Sequence, residues 1–143
     1  MAPPRPRAGQ ARPGHDPTSA AQLLAEARAR LDRFVPAEAA TAIQAGALLI
    51  DIRPDDQRKR YGVIPTSCHV PRNVFEWRCD PRSDWADREI VGDPKRQLIV
   101  ICHEGYQSSL VAATLQRFGF AGATDVVGGF QAWRDGGLPV ASL

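Results

Sequence analysis

Two short runs of apolar residues constrain the fold of this chain most strongly. Residues 47–52 read ALLIDI and residues 98–101 read LIVI, and each run has the length of a strand. The second run is apolar at every position, so the strand that it forms is expected to be covered on both faces. Segments with helical composition alternate with these runs. This alternation predicts an α/β domain with a central, mainly parallel sheet flanked by helices on both faces.

Local signals predict the other elements. Residues 19–34 are rich in Ala, Leu, Glu and Arg, which favour a helix, and Ser19 can cap it. Pro36 at a first helical position and Gly46 just after a last one indicate a second helix. Residues 71–97 have mixed character and are interpreted as loops with at most one helix. Short strands are predicted in SCHV and ATDVVGG, and a last helix in FQAWRDGG.

The N-terminal segment differs in composition from the rest of the chain. Residues 1–18 are rich in Pro and Arg and predict a disordered tail, followed by one domain over residues 19–143. The tail lacks the apolar core of a secretory signal, and no stretch approaches the roughly 18 apolar residues of a membrane span. The net charge is only +2, and without the three tail arginines the chain would be close to neutral. Nucleic acid is therefore not an expected partner. An odd cysteine count, three, argues against a disulfide framework and for a cytoplasmic location.

The segment ICHEGYQSS, residues 101–109, carries the chemistry. Cys102 ends the LIVI run at the carboxyl edge of the predicted sheet, where α/β proteins bind ligands. A helix is expected to begin just after Gln107, so unpaired N–H groups of the loop and of the first helical turn can converge on an anion. Gly105 suits a loop position with positive φ, and Ser108 can cap the helix. Such a nest favours a reactive thiolate, and Cys102 is therefore the predicted nucleophile.

Four motifs, in this order, resemble those of single-domain rhodanese-like proteins of the sulfurtransferase family. They are LLIDIRP, GVIPTSCHVP, IVICHEGYQSS and VVGGFQAWRDGGLPV, and the resemblance extends from about residue 35 to residue 143. It implies a rhodanese-like α/β fold and an enzyme that transfers sulfur. In that family the loop cysteine takes a sulfane sulfur from a small-molecule donor such as thiosulfate. The resulting persulfide passes the sulfur to cyanide, a thiol or another protein.

Carried over to this sequence, the resemblance makes Cys102 the catalytic residue and persulfide carrier. The loop amides would hold the terminal sulfur and its charge, so the substrate-binding residues are His103, Glu104, Gly105, Tyr106, Gln107 and Ser108. Arg72 borders the mouth of the site in such a fold and is a further substrate-binding candidate. Asp51 and Arg53, the Asp-x-Arg pair, are interpreted as structural support. No cofactor, metal ion or membrane contact is expected, and the oligomeric state stays open.

Two loop residues depart from the family pattern. Active thiosulfate-using members often carry arginine at the sixth loop position, where this chain has Gln107, and Glu104 adds a negative charge where a dianion would approach. At close range a like charge costs on the order of 1 kcal/mol or more. His103 would offset that charge only if it were protonated. We therefore expect thiosulfate not to be the preferred donor.

Two other functions stay open. A rhodanese-like binding or redox-regulatory module would have the same loop without efficient turnover. A phosphatase or arsenate reductase of this fold would have a loop one residue longer, with arginine six positions after the cysteine to clamp an oxyanion. Here that position is Ser108.

The other two cysteines have separate expectations. Cys68 lies in a strand-like stretch and is expected to pack in the core. Cys79 stands beside Asp80 and Pro81, so it is expected to be exposed and is a candidate for a thiol that resolves a persulfide on Cys102.

Overall fold

The computed structural model describes residues 2–4, 9 and 16–143. The predicted disordered tail, residues 1–18, therefore falls mostly outside the described residues. Residues 16–143 contain a sheet whose strands are β1 (Leu48–Asp51), β2 (Cys68–His69), β3 (Leu98–Ile101) and β4 (Thr124–Asp125). The strand order is β2-β1-β3-β4, and every neighbouring pair is parallel. The predicted α/β class and mainly parallel sheet are confirmed.

Helices connect and flank these strands. In residues 16–143 they are α1 (Ala20–Arg28), α2 (Pro36–Gln44), α3 (Asp55–Tyr61), α4 (Phe75–Cys79), α5 (Arg88–Val91), α6 (Gln107–Arg117) and α7 (Gly129–Asp135). A 3-10 turn, Arg72–Val74, precedes α4. Helix α2 begins at Pro36, as predicted, and Gly46 follows it with a φ of 113°. The segment interpreted as loops with at most one helix instead holds two short helices.

The N-terminal helix is shorter than predicted. Ser19 caps α1 by accepting a hydrogen bond from the Gln22 N–H at 3.1 Å, but the helix ends at Arg28 instead of residue 34. The reason is that Phe34 extends the sheet beyond β4. Its N–H donates to the Asp125 carbonyl at 3.1 Å, and its carbonyl accepts from the Val127 N–H at 2.8 Å. A residue with extended backbone at a sheet edge cannot continue a helix, so the chain leaves α1 several residues earlier.

The sheet separates two apolar layers. Successive residues of β3 point to opposite faces, as strand geometry requires. Ile99 and Ile101 pack with residues of α2 and α7, whereas Leu98 and Val100 pack with residues of α4, α5 and α6. Helices therefore cover both faces, which explains why the LIVI run has no polar position.

Parallel pairing brings the carboxyl ends of three neighbouring strands to one edge of the sheet. Arg53 follows β1, Cys102 follows β3, and Asp125 ends β4. All three side chains are at least 95% buried. This edge is where ligands of open parallel sheets bind, and it carries the candidate site.

Candidate active site

The sulfur of Cys102 lies inside a curled loop between β3 and α6. Its Sγ accepts hydrogen bonds from the N–H of Gly105 at 3.2 Å and from the N–H of Ser108 at 3.4 Å. The thiol donates to the Ser108 Oγ at 3.3 Å. Two converging backbone donors stabilise a negative charge on sulfur, because they are already oriented toward it before any reaction begins.

The loop packs closely on the glycine turn that begins α7. Gly105 has a φ of 89°, and a Cβ there would lie 2.9 Å from the Gly128 nitrogen. Gly129 has a φ of 60°, and its Cβ would lie 2.5 Å from the Cys102 carbonyl oxygen and 2.7 Å from the Gly105 nitrogen. The N–H of Phe130 also donates to the Cys102 carbonyl at 2.8 Å. The path of the loop therefore depends on the absence of side chains at these glycines.

A cavity of about 230 Å³ opens above Cys102. Its walls are formed by the residues that follow β1, by the first turn of α3 and by the cysteine loop. They are Ile52, Arg53, Pro54, Gln57, Cys102, His103, Glu104, Tyr106 and Gln107. Of the other predicted binding residues, Gly105 and Ser108 contact the sulfur. Arg72 lies in the 3-10 turn after β2 and is not among the residues that line this cavity.

Arg53 and Asp51 form a buried ion pair in the wall of the cavity. The Arg53 Nη2 lies 2.9 Å from the Asp51 Oδ2 and also donates to the Gly62 carbonyl at 2.8 Å. The guanidinium carbon lies 3.9 Å from the centroid of the Phe130 ring. Among the residues lining the cavity Arg53 is the only arginine or lysine, and it shares the carboxylate of Asp51 with Arg58, whose Nε lies 3.5 Å from the Asp51 Oδ2.

His103 carries little positive charge at neutral pH. Its ring lies 4.7 Å from that of Tyr61 and 5.9 Å from that of Phe130, centroid to centroid. Burial lowers the pKa of His103, and the positive charge of Arg53 lowers it further. The exposed carboxylate of Glu104 therefore has no charged imidazole beside it. Arg60 lines an adjoining groove that Glu104 also borders.

Three residues behind the loop were not singled out from the sequence. Asp125 is fully buried, and its Oδ2 accepts hydrogen bonds from the hydroxyls of Ser108 at 2.8 Å and Ser109 at 2.7 Å. Arg33 forms an ion pair with Asp125 at 2.8 Å. Arg28 and Arg33 both donate to the Gly105 carbonyl, at 2.8 and 3.1 Å. The available signal was an aspartate inside the short buried strand ATDVV, whereas nothing local distinguishes these arginines from their neighbours.

The expectation that Cys79 is exposed is wrong. Cys79 has no solvent exposure, because α4 turns it into the same apolar layer as Phe75. Burial raises the pKa of Cys79 to about 12 and the pKa of Cys68 to about 11. Both thiols are therefore protonated near neutral pH and are poor nucleophiles there.

Neither a metal cluster nor a membrane helix is found in residues 2–4, 9 and 16–143. No group of three or more His, Cys, Asp or Glu side chains is placed to hold a metal ion. No helix of the described residues is long and apolar enough to cross a bilayer.

Known proteins with similar sequences include sulfurtransferases. The thiosulfate sulfurtransferase GlpE of Pseudomonas savastanoi pv. phaseolicola is 34% identical over 102 residues, which cover 71% of this chain and 86% of that protein. The thiosulfate sulfurtransferase GlpE of Haemophilus influenzae is 30% identical over 107 residues, covering 75% of this chain and 91% of that protein.

Two solved structures with the same fold are described in different terms. A protein of unknown function from Rhodopseudomonas palustris, described as a possible tyrosine phosphatase, superposes with a TM-score of 0.81 at 29% identity. That match covers 92% of this chain and all of the other. The polysulfide-sulfur transferase homodimer of Wolinella succinogenes superposes with a TM-score of 0.67 at 24% identity and covers 86% of each chain, so it supports the fold.

The rhodanese-like domain family matches residues 35–135, which contain the cysteine loop, the Asp-x-Arg pair and most of the closing glycine motif. The four motifs seen in the sequence predicted this assignment, and it agrees with the fold and with the curated relatives. The chain belongs to the rhodanese-like domain family and is an enzyme of the sulfurtransferase class.

Proposed function

We propose that this sulfurtransferase carries sulfur as a persulfide on Cys102. The observation that supports this most directly is the pair of backbone N–H groups, from Gly105 and Ser108, that point at the Cys102 sulfur at the base of an open cavity. The same donors that stabilise a thiolate can stabilise the terminal sulfur of a persulfide, which also carries a negative charge. The cavity gives that sulfur a route to an incoming molecule.

The reaction is a double displacement at sulfur. The Cys102 thiolate attacks the sulfane sulfur of the donor and forms an S–S bond. The bond between that sulfur and the remainder of the donor breaks, and the leaving group departs with the electron pair, as sulfite from thiosulfate or as a thiolate from a persulfide. The acceptor, a thiol, cyanide or a protein thiol, then attacks the terminal sulfur, and Cys102 leaves again as thiolate. No net oxidation or reduction takes place, and the covalent intermediate divides the transfer into two steps.

The charge at the mouth of the cavity opposes a dianionic donor. Glu104 is exposed there, Gln107 supplies no charge, burial and Arg53 lower the pKa of His103, and Arg53 itself is buried in an ion pair with Asp51. We therefore propose a donor with less negative charge than thiosulfate, such as a low-molecular-weight persulfide.

Intact mass measurement after incubation with a panel of sulfur donors tests the persulfide. Wild type should gain the mass of one sulfur atom with at least one donor and lose it when a thiol acceptor is added. Cys102→Ser should gain nothing, whereas Cys68→Ser should behave as wild type. A sulfur adduct that persists in Cys102→Ser would contradict the proposal.

A binding or redox-regulatory module is the second candidate, because the loop from Cys102 to Ser108 contains no lysine or arginine to attract an anionic donor. Such a protein would react with oxidants or alkylating agents at Cys102 but would not pass sulfur onward. Repeated turnover of one protein molecule by a donor and a thiol acceptor distinguishes the two candidates. A single stoichiometric reaction with no further product would favour the module.

The description of the Rhodopseudomonas structure raises phosphatase activity as a third possibility. Phosphatases with a cysteine loop clamp the oxyanion with an arginine of the loop, and the loop from Cys102 to Ser108 has none. We expect no hydrolysis of p-nitrophenyl phosphate. Hydrolysis that disappears in Cys102→Ser would show this expectation to be wrong.

We place the reaction in the cytoplasm. All three cysteines are free thiols, and a thiolate nucleophile persists most readily in a reducing compartment. Fractionation of cells that express the protein tests this placement.

A further inference from the structure

The loop around Cys102 is held from behind by a segment that precedes the family domain. The match to the rhodanese-like domain begins at residue 35, yet Arg28 of α1 and Arg33 of the following turn both reach the loop. Their guanidinium groups donate to one atom, the Gly105 carbonyl oxygen, at 2.8 and 3.1 Å. Two charged donors on a single carbonyl fix the orientation of that peptide more firmly than a neutral hydrogen bond does.

Arg28 makes two more contacts with the same part of the site. Its Nε donates to the Ser109 hydroxyl at 3.1 Å, and its guanidinium carbon lies 5.5 Å from the centroid of the Tyr106 ring. The Arg28 side chain therefore contacts the Gly105 carbonyl, the exposed ring of Tyr106 and Ser109 in the first turn of α6. We call Arg28 and Arg33 the loop clamp, because both hold the Gly105 carbonyl.

Asp125 joins the clamp to the sulfur. It accepts hydrogen bonds from Arg33 at both carboxylate oxygens, at 2.8 and 3.2 Å. Its Oδ2 also accepts from the hydroxyl of Ser108, the residue whose N–H and Oγ contact the Cys102 sulfur. A continuous chain of hydrogen bonds thus runs from Arg33 through Asp125 and Ser108 to the sulfur.

The orientation of the Gly105 carbonyl has a direct consequence for the cradle. In a trans peptide the C=O and the following N–H point in opposite directions, and the structure contains no cis peptide in its described residues. Holding the Gly105 carbonyl behind the loop therefore turns the Tyr106 N–H toward the opposite side, where the cavity lies. Two guanidinium groups and one carboxylate also leave a net positive charge behind the loop, and such charge polarises the peptide donors that face the sulfur.

We propose that Arg28, Arg33 and Asp125 are positioning residues for sulfur transfer, and that their net positive charge replaces the cation that the loop itself lacks. This inference rests on the proposed persulfide function of Cys102. None of the three touches the donor. They act through the Gly105 peptide and through Ser108. Residues of the N-terminal segment therefore contribute to catalysis.

Alkylation of Cys102 by iodoacetamide tests the clamp without any sulfur donor. Arg28→Gln should slow alkylation of Cys102 in the folded protein by about tenfold, because a charge-assisted donor to the loop is lost. Arg30→Gln is the matched control, since Arg30 is exposed on the same segment and its side chain makes none of these hydrogen bonds. Arg28→Lys, which keeps the charge but not the planar fork, should recover part of the rate. If Arg28→Gln does not fold, Arg28→Lys against Arg30→Lys gives the comparison with a smaller expected difference.

Steady-state turnover supplies a second measurement. A residue with a role in stability alone would not lower kcat at constant KM in the folded protein. With the best donor of the panel, Arg28→Gln should lower kcat by about tenfold while KM for the donor stays near that of Arg30→Gln, since the clamp does not touch the donor. Equal alkylation rates and equal kcat in the two variants would overturn the proposal. Failure of wild type to transfer sulfur, with the alkylation difference intact, would instead overturn the proposed function and leave the clamp standing.

Discussion

The two sides of the cysteine loop differ in burial and in charge. The rear side, made of Arg28, Arg33, Ser108, Ser109 and Asp125, is largely buried and charged, and hydrogen bonds connect its residues. The mouth, made of Gln57, Glu104, Tyr106 and Gln107, is more exposed and lacks a lysine or arginine. Ion pairs behind the loop keep their geometry because solvent does not compete for them, whereas a charge at the mouth is screened and free to move.

This difference separates two tasks that a single loop arginine would combine. In the proposed function the rear side stabilises charge on the sulfur whichever donor delivers it. The mouth would decide which donor approaches, and we propose that the carboxylate of Glu104 disfavours dianions there. The following predictions test this division of tasks.

Cys102→Ser should have the largest functional effect and the smallest structural one. Sulfur transfer should be lost completely, because a serine hydroxyl is a weak nucleophile without a base beside it. The hydroxyl still accepts from Gly105 and Ser108, so the midpoint of urea unfolding should change little. A large loss of stability in this variant would show that the thiol is also a structural part of the rear side.

Asp125→Asn should have the largest effect on stability. The variant leaves the guanidinium of Arg33, which is 17% exposed, without its carboxylate, and we expect the free energy of unfolding to fall by about 3 kcal/mol. Asp135→Asn is the control, because Asp135 is exposed and its contact with Arg134 is 3.7 Å long. Urea unfolding of both variants measures the difference. Equal midpoints would mean that the buried network does not stabilise the rear side.

Adding positive charge at the mouth should change donor preference. Glu104→Lys and Gln107→Arg should each raise kcat/KM for thiosulfate by about tenfold, since each places a cation where the dianion enters. Alkylation of Cys102 by the neutral iodoacetamide should change much less. Glu89→Lys, a charge reversal on the exposed face of α5, should leave kcat/KM unchanged. No gain in either mouth variant would mean that the donor is positioned elsewhere.

The buried thiol of Cys79 predicts a smaller effect, on alkaline stability. Its pKa is about 12 in the folded protein against 9.0 for the unperturbed group, so unfolding releases a proton above pH 9 and stability falls as pH rises from there toward 12. The expected contribution is about 1 kcal/mol per pH unit. Urea unfolding at pH 8, 9 and 10 measures the slope, and Cys79→Val should make it shallower. An unchanged slope in Cys79→Val would contradict this assignment.

The parts of the molecule that sequence alone predicted are those with local signals. The LIVI run, Pro36 and Gly46 each act within a few residues, and they correctly predicted β3 and the bounds of α2. The cysteine loop was predictable for the same reason, because its donors and its nucleophile are contiguous. The roles assigned to its residues, and to Arg72, remain predictions.

The parts that were missed depend on distant contacts. Arg28 and Arg33 meet Gly105 across 77 and 72 residues of chain, and nothing near them distinguishes them from Arg30. Cys79 was wrongly expected to be exposed because Asp80 and Pro81 indicate a turn of the chain but not the side on which α4 packs. Helix α1 was predicted too long because Phe34 pairs with Val126, a residue distant in the chain, and no residue near Phe34 indicates this pairing.

The contact between Gly129 and the cysteine loop limits how this fold can change its chemistry. A loop one residue longer, of the kind that phosphatases use, has to find room for an extra peptide, and on the side of α7 a single Cβ at Gly129 would already lie within 3 Å of three backbone atoms of the loop. An inserted residue is therefore forced outward, toward the mouth, unless the turn of Gly128 and Gly129 moves with it. Laboratory conversion of this scaffold into a phosphatase should require paired changes in both segments.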